Sequence, residues 1–118
     1  MFTGLTKLEF LDLTGNAISN LDASVFNSKT LITLILTNNL LTNLDAYSFA
    51  NASQLAGISL DHNRLVNLDI NVFKGLDELR VAYLGENPIS IKHPDYVAKL
   101  CEAANTACKI CLIDNGCP

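Results

Sequence analysis

What the 118-residue chain lacks narrows its function before any motif is considered. It has no apolar run near the roughly 20 residues a membrane-spanning helix requires. The longest candidate, residues 31–41, is broken by Thr33, Thr37, Asn38 and Asn39. It has no basic excess. The net charge is −4, which argues against a nucleic-acid partner, because displacing phosphate counterions needs a stripe of Lys and Arg. Charge of either sign is scarce, 17% against 49% hydrophobic residues, a balance that excludes a disordered chain. Cysteine is absent from the first hundred residues, and histidine occurs only at His62 and His93. No catalytic constellation emerges, so no enzyme and no cofactor is expected. The pair Asp61 and His62 comes closest to an acid–base arrangement, but both fall in a variable polar segment where surface residues are the ordinary case.

What is present is a repeat. In the stretch Leu55–Phe73, apolar residues stand at Leu55, Ile58, Leu60, Leu65, Leu68 and Phe73, with Asn63 between Leu60 and Leu65. The same frame is filled earlier by Leu31, Leu34, Leu36, Asn39, Leu41, Leu44 and Phe49, and before that by Leu8, Leu11, Leu13, Asn16, Ile18, Leu21 and Phe26. Leu79, Ala82, Leu84, Asn87 and Ile89 begin a fourth copy that never reaches its Phe. The asparagines step by 23, 24 and 24 residues; the phenylalanines, counted from Phe2, step by 24, 23 and 24. A period held in phase over most of a chain means stacked repeats.

Each residue type has a mechanical reason. Alternating apolar residues such as Ile58 and Leu60 belong to a short strand with one face inward, and stacked copies pair those strands in parallel about 4.8 Å apart. The backbone then turns inside the core, where a buried Asn offers both donor and acceptor to amides that would otherwise lack partners. The return path carries Asn-Leu-Asp three times, at Asn20–Asp22, Asn43–Asp45 and Asn67–Asp69. Its Asp is expected to cap a short helical turn leading to the Phe behind the strands. In the first copy Lys29 stands where the third has Leu76, an expected weak point in the outer packing.

The fourth copy is altered as an end would be. Ala82 replaces a large residue, and Pro88 after Asn87 cannot donate to a further ladder. A break at Ile91–Pro94 leads to an expected helix over about Asp95–Ala104, whose Val97, Leu100, Cys101 and Ala104 fall at helical spacing. All four cysteines, Cys101, Cys108, Cys111 and Cys117, lie in the last 18 residues. An even number in a small terminal cap points to two disulfides and an oxidising compartment. A four-thiolate zinc site is the competing reading, although such sites usually show two Cys-x-x-Cys pairs and only Cys108 and Cys111 have that spacing.

The frame Leu-x-x-Leu-x-Leu-x-x-Asn-x-Leu-x-x-Leu-x-x-x-x-Phe, over about Phe2–Ile91, resembles the extracellular "typical" leucine-rich repeats of Toll-like receptors, Slit proteins, small proteoglycans and variable lymphocyte receptors. The resemblance implies an α/β fold: a short curved solenoid with a parallel concave sheet over residues 1–91, and a helical, disulfide-bonded cap over residues 92–118. It implies secreted or ectodomain localisation and a recognition role in innate immunity or adhesion, with a protein or microbial surface ligand. The Asn-Pro opening followed by a helix and four cysteines resembles that family's C-terminal cap, except that the usual Cys-x-Cys just after Asn-Pro is missing. By analogy with that cap, Cys101 is expected to pair with Cys111 and Cys108 with Cys117.

On the concave face the frame places four columns: Phe10, Thr33, Gly57 and Val81; Asp12, Ile35, Ser59 and Tyr83; Thr14, Thr37, Asp61 and Gly85; Gly15, Asn38, His62 and Glu86. The residues expected to meet a ligand are Phe10, Asp12, Thr33, Ile35, Ser59, Asp61, His62, Val81, Tyr83 and Glu86. Phe10, Ile35, Val81 and Tyr83 are apolar groups the core does not need, rimmed by Asp12, Asp61 and Glu86, so the complementary partner carries basic groups around an apolar patch. Scattered apolar surface residues are also ordinary in themselves. At the other end, Met1-Phe-Thr-Gly-Leu is the tail of a repeat with no signal peptide before it, as in a piece of a longer protein or a chain without an N-terminal cap. The open first repeat is expected to pair with something, a second copy of the chain included. Asn51-Ala52-Ser53 is a glycosylation acceptor pattern on the outer side.

Overall fold

The computed structural model describes residues 7–22 and 26–112. Each repeat contributes one three-residue strand: β1 (Phe10–Asp12), β2 (Thr33–Ile35), then, past a shorter segment, β4 (Gly57–Ser59) and β6 (Val81–Tyr83). These pair in parallel in chain order, with Leu11, Leu34, Ile58 and Ala82 in one register row. That row points inward; Leu34, Ile58 and Ala82 are buried, whereas Leu11 is only partly so. Two further short strands, β3 (Asn43–Leu44) and β5 (Asn67–Leu68), form a second parallel ladder on the return path. They come from the second and third Asn-Leu-Asp segments, whose central Leu44 and Leu68 are buried in the core.

The core is three stacked layers closed at the back by Phe26, Phe49 and Phe73, all at most 2% exposed. The rings of Phe26 and Phe49 stack with centroids 6.2 Å apart. Between strand row and phenylalanines run the asparagines, and their bonding explains the repeat length. Asn63 Oδ1 accepts from the Leu41 amide of the preceding repeat, while its Nδ2 donates to Leu36 O, Leu60 O and Asp61 O. Asn39 and Asn87 do the same one repeat away in either direction, so each amide side chain ties its own turn to the turn before it. Asn16 is exposed, its Nδ2 reaching Thr14 O at 3.3 Å.

Some local expectations are met and others corrected. After Asp45 and Asp69 the chain makes short turns, and the Val72 amide donates to Asp69 O at 3.0 Å. At the third copy Asp69 Oδ1 accepts the Asn71 amide at 2.8 Å, the cap expected of it at the start of that turn. Lys29 is exposed. The first return path is one residue shorter, so Ser28 is buried instead, and its hydroxyl oxygen accepts the amides of Thr30 and Leu31. Pro88 begins a helix, α1 (Pro88–Lys92), as its fixed φ and missing donor suit a first turn. The expected break at Ile91–Pro94 therefore contains the end of α1, and the division between residues 91 and 92 falls inside that helix.

The expected cap helix is two short ones, α2 (Pro94–Ala98) and α3 (Leu100–Ala103), joined at Lys99. Val97, Leu100, Cys101 and Ala104 are all buried, closing the last repeat. The chain then adds a strand, β7 (Lys109–Cys111), parallel to β6, with Ile110 opposite Ala82. The sheet thus runs β1-β2-β4-β6-β7, and a tail segment is its last strand. Cys101 is bonded to Cys108 across a Cα separation of 5.4 Å, which replaces the expected pairing of Cys101 with Cys111. The sulfurs of Cys101 and Cys108 are therefore unavailable as zinc thiolates. Cys111, buried in β7, is also disulfide-bonded; Cys117 lies outside the described residues, as do Phe2 and Leu5.

Candidate functional site: the concave face

Because successive strand residues point to opposite faces, burying Leu34 and Ile58 turns their neighbours outward. The register sets Phe10, Thr33, Gly57 and Val81 in one row, and Asp12, Ile35, Ser59 and Tyr83 in another. Two residues past each strand come Thr14, Thr37, Asp61 and Gly85. Phe10 is 56% exposed; Thr33, Ile35, Ser59, Val81 and Tyr83 are half-buried by their row neighbours. Gly57 supplies no side chain between Thr33 and Val81, and a Cβ there would rest 3.6 Å from Val81 Cγ1. The first row is therefore open in the middle, with apolar groups at Phe10 and Val81 on either side.

Two of the acidic groups, Asp12 and Asp61, accept hydrogen bonds from threonines. Asp12 Oδ1 accepts the Thr14 hydroxyl at 2.6 Å and the Thr14 amide at 3.0 Å. The hydroxyl first, then the amide, hold its carboxyl below the usual carboxylate range. Asp61 Oδ1 accepts the Thr37 hydroxyl of the preceding repeat at 2.9 Å. Threonine in this third column thus orients a carboxylate in the strand plane.

The fourth column differs from the other three. Gly15, Asn38, His62 and Glu86 have φ of 70, 57, 56 and 55°, the left-handed region. They form the turn that delivers the ladder asparagine, and the amides of Gly15, Asn38 and His62 donate to Thr37 O, Asp61 O and Gly85 O in the next repeat. His62 and Glu86 therefore rim the strand ends and do not lie on the sheet face, where Phe10, Asp12, Thr33, Ile35, Ser59, Val81 and Tyr83 are gathered.

Two features were out of reach of the repeat frame. Lys109, exposed in β7, extends the first row beyond Val81 and sets a cation at the cap end of an otherwise acidic face. An open recess of about 520 Å³ lies on the flank, between the β3–β5 ladder and α1–α2, lined in part by Asp45, Val66, Asp69, His93 and Tyr96. The Tyr96 hydroxyl donates to Leu68 O at 2.6 Å, in the place a further ladder amide would occupy. Val66, 54% exposed and outside the apolar frame, was the one sequence sign of this flank. Among the described residues no cluster of three His, Cys, Asp or Glu side chains is arranged to hold a metal, and no helix is long and apolar enough to cross a membrane.

A family model described as leucine-rich repeat matches residues 6–65 of the chain. Leucine-rich repeat-containing G-protein coupled receptor 5 of Rattus norvegicus is 36% identical over 99 residues, which cover 83% of this chain and 11% of that receptor. The chain thus spans a small part of the length of the curated relative it matches.

Proposed function

The chain belongs to the leucine-rich repeat family, and from that premise we propose that it is a non-enzymatic, extracellular recognition module that binds a protein or microbial surface ligand through its concave face. The observation that carries the reading is the pair of rows described above. Ile35, Val81 and Tyr83 are large apolar groups that the fold leaves outside its core, on a rigid sheet, beside carboxylates oriented by threonines. Aromatic and aliphatic anchors within a polar rim are the composition of protein-binding surfaces. The ligand patch that fits is apolar with Lys or Arg around it. Disulfide bonding in the cap supports an oxidising, extracellular setting, and likeness to part of a receptor supports an ectodomain. The finer placement, among the typical extracellular repeats that serve innate immunity or adhesion, rests on the complete Asn and Phe columns.

Selection from a displayed peptide library tests this. Sequences with Lys or Arg beside aromatic residues are expected to be enriched, and joint Ile35→Glu and Tyr83→Glu substitution should abolish their capture without altering the oligomer size. Enrichment of peptides indifferent to both substitutions would refute the concave-face reading.

A second reading has its own observation. In the first repeat Leu8, Leu11, Leu13, Ile18 and Leu21 are only partly buried, although their counterparts one repeat later, Leu31, Leu34, Leu36, Leu41 and Leu44, are at most 3% exposed. Among the described residues, β1 is also an edge strand. An assembly unit that pairs through this end, a second copy included, would cover both. Unchanged peptide capture with a change of oligomer size on Leu11→Glu substitution would favour it; a strictly monomeric protein at high concentration in light scattering would count against it.

A further inference from the structure

Asn51-Ala52-Ser53 is absorbed by neither reading, and the frame itself explains why Asn51 is unlike the other asparagines. The ladder residues Asn16, Asn39, Asn63 and Asn87 are each followed two places on by a core Ile or Leu, which the packing of the next layer demands. Those of the Asn-Leu-Asp segments are followed by Asp. Only Asn51 has a hydroxyl residue at that distance. The asparagines that the interior needs are thereby barred from the acceptor pattern, and the one that carries it is exposed.

Asn51 sits at a reversal of the chain. The Ala50 amide donates to Tyr47 O at 3.1 Å and the Ala52 amide to Phe49 O at 2.9 Å, so the chain reverses across Asn51. Phe49 and Ala52 are both fully buried and pin the reversal on either side. In the adjoining repeat the matching position is Gly75, in the left-handed region at φ +92°, and a Cβ there would lie 3.3 Å from Ala50 Cβ. Gly75 thus sets backbone, and no side chain of its own, against Ala50. This turn follows the phenylalanine that lies behind the strands, on the side opposite the concave rows.

We propose that Asn51 carries an N-linked oligosaccharide on the convex back of the solenoid. In the reaction Asn51 Nδ2 attacks the anomeric carbon of an oligosaccharide held on a lipid diphosphate. The new N–C bond forms as the C–O bond to the diphosphate breaks, the diphosphate leaves with the electron pair, and the amide nitrogen loses one proton. The Ser53 hydroxyl, two residues on, completes the acceptor pattern. A sugar here leaves Phe10, Ile35, Val81 and Tyr83 uncovered. The inference rests on the extracellular setting proposed above, but not on the ligand.

The test is intact mass of the protein produced in the secretory pathway of cultured eukaryotic cells, before and after peptide N-glycosidase. The expected result is a loss of mass on treatment, with Asn51 converted to Asp, a single sugar-free species whose mass treatment leaves unchanged for Asn51→Gln, and higher occupancy for Ser53→Thr. Asn51→Gln should keep the thermal midpoint, which shows that its loss of sugar is not loss of fold. Protein recovered from the medium with its disulfides formed and no mass shift would overturn the modification and leave the extracellular reading standing. A mass shift that persists in Asn51→Gln would overturn it as well. Protein recovered with four free thiols would overturn both together.

Discussion

Asn63→Ala is the sharpest perturbation the fold offers, because its consequences can be counted atom by atom. The wild-type side chain accepts one amide proton, from Leu41, and donates to three carbonyls, of Leu36, Leu60 and Asp61. All three carbonyls keep a donor when it is removed, since Leu36 O also receives Asn39 Nδ2, Leu60 O also receives Asn87 Nδ2 and Asp61 O also receives the Asn38 amide. The Leu41 amide keeps none. Leaving one buried donor unpaired costs about 1–3 kcal/mol, and weakening the three shared carbonyls adds about 0.5 kcal/mol each. The expected loss is about 3–4 kcal/mol, a large share of the stability of a domain of this size. The matched control is Asn16→Ala, whose side chain is exposed and makes one 3.3 Å contact; it should change stability by less than about 0.5 kcal/mol. Urea denaturation of both variants, followed by far-ultraviolet circular dichroism, gives the two differences. Hydrogen exchange should show the Leu41 amide losing protection first. Equal destabilisation by Asn16→Ala and Asn63→Ala would refute the account of the ladder as a chain of ties between one repeat and the next.

Four further outcomes follow from the same geometry. Thr14→Val removes the hydroxyl that is the larger influence on Asp12, so the Asp12 carboxyl should titrate at higher pH than in the wild type by NMR; no movement would show that the amide alone sets it. In the wild type the depressed Asp12 keeps its charge as pH falls into the ordinary carboxylate range, so the part of basic-peptide capture lost on Asp12→Asn should persist there and fade only below it. Glu86 has φ +55°, so Glu86→Val should cost about 1–2 kcal/mol in thermal denaturation while Glu86→Gly costs little. Replacing Cys101 and Cys108 together by Ser opens a loop with a sequence separation of 7; loop-closure entropy makes the expected loss about 2–3 kcal/mol, most visible as faster proteolysis of the cap and β7.

Much of this protein is determined by sequence alone, because a repeat states its rule several times. The apolar period named the strands, the inward row, the asparagine ladder and the phenylalanine back. With them came both concave rows, since a strand that buries Ile58 must turn Gly57 and Ser59 outward. Only the tertiary structure decided what breaks the period. Ser28 replaces Lys29 inside because the first return path is one residue short and the stack, not the frame, sets which side chain reaches the core. The place of Lys109 beside Val81, and the pairing of Cys101 with Cys108, follow from a tail that is free to find the open edge of β6. A unique segment meets its partners only in three dimensions, whereas a repeated one meets copies of itself and so writes its contacts into its own spacing.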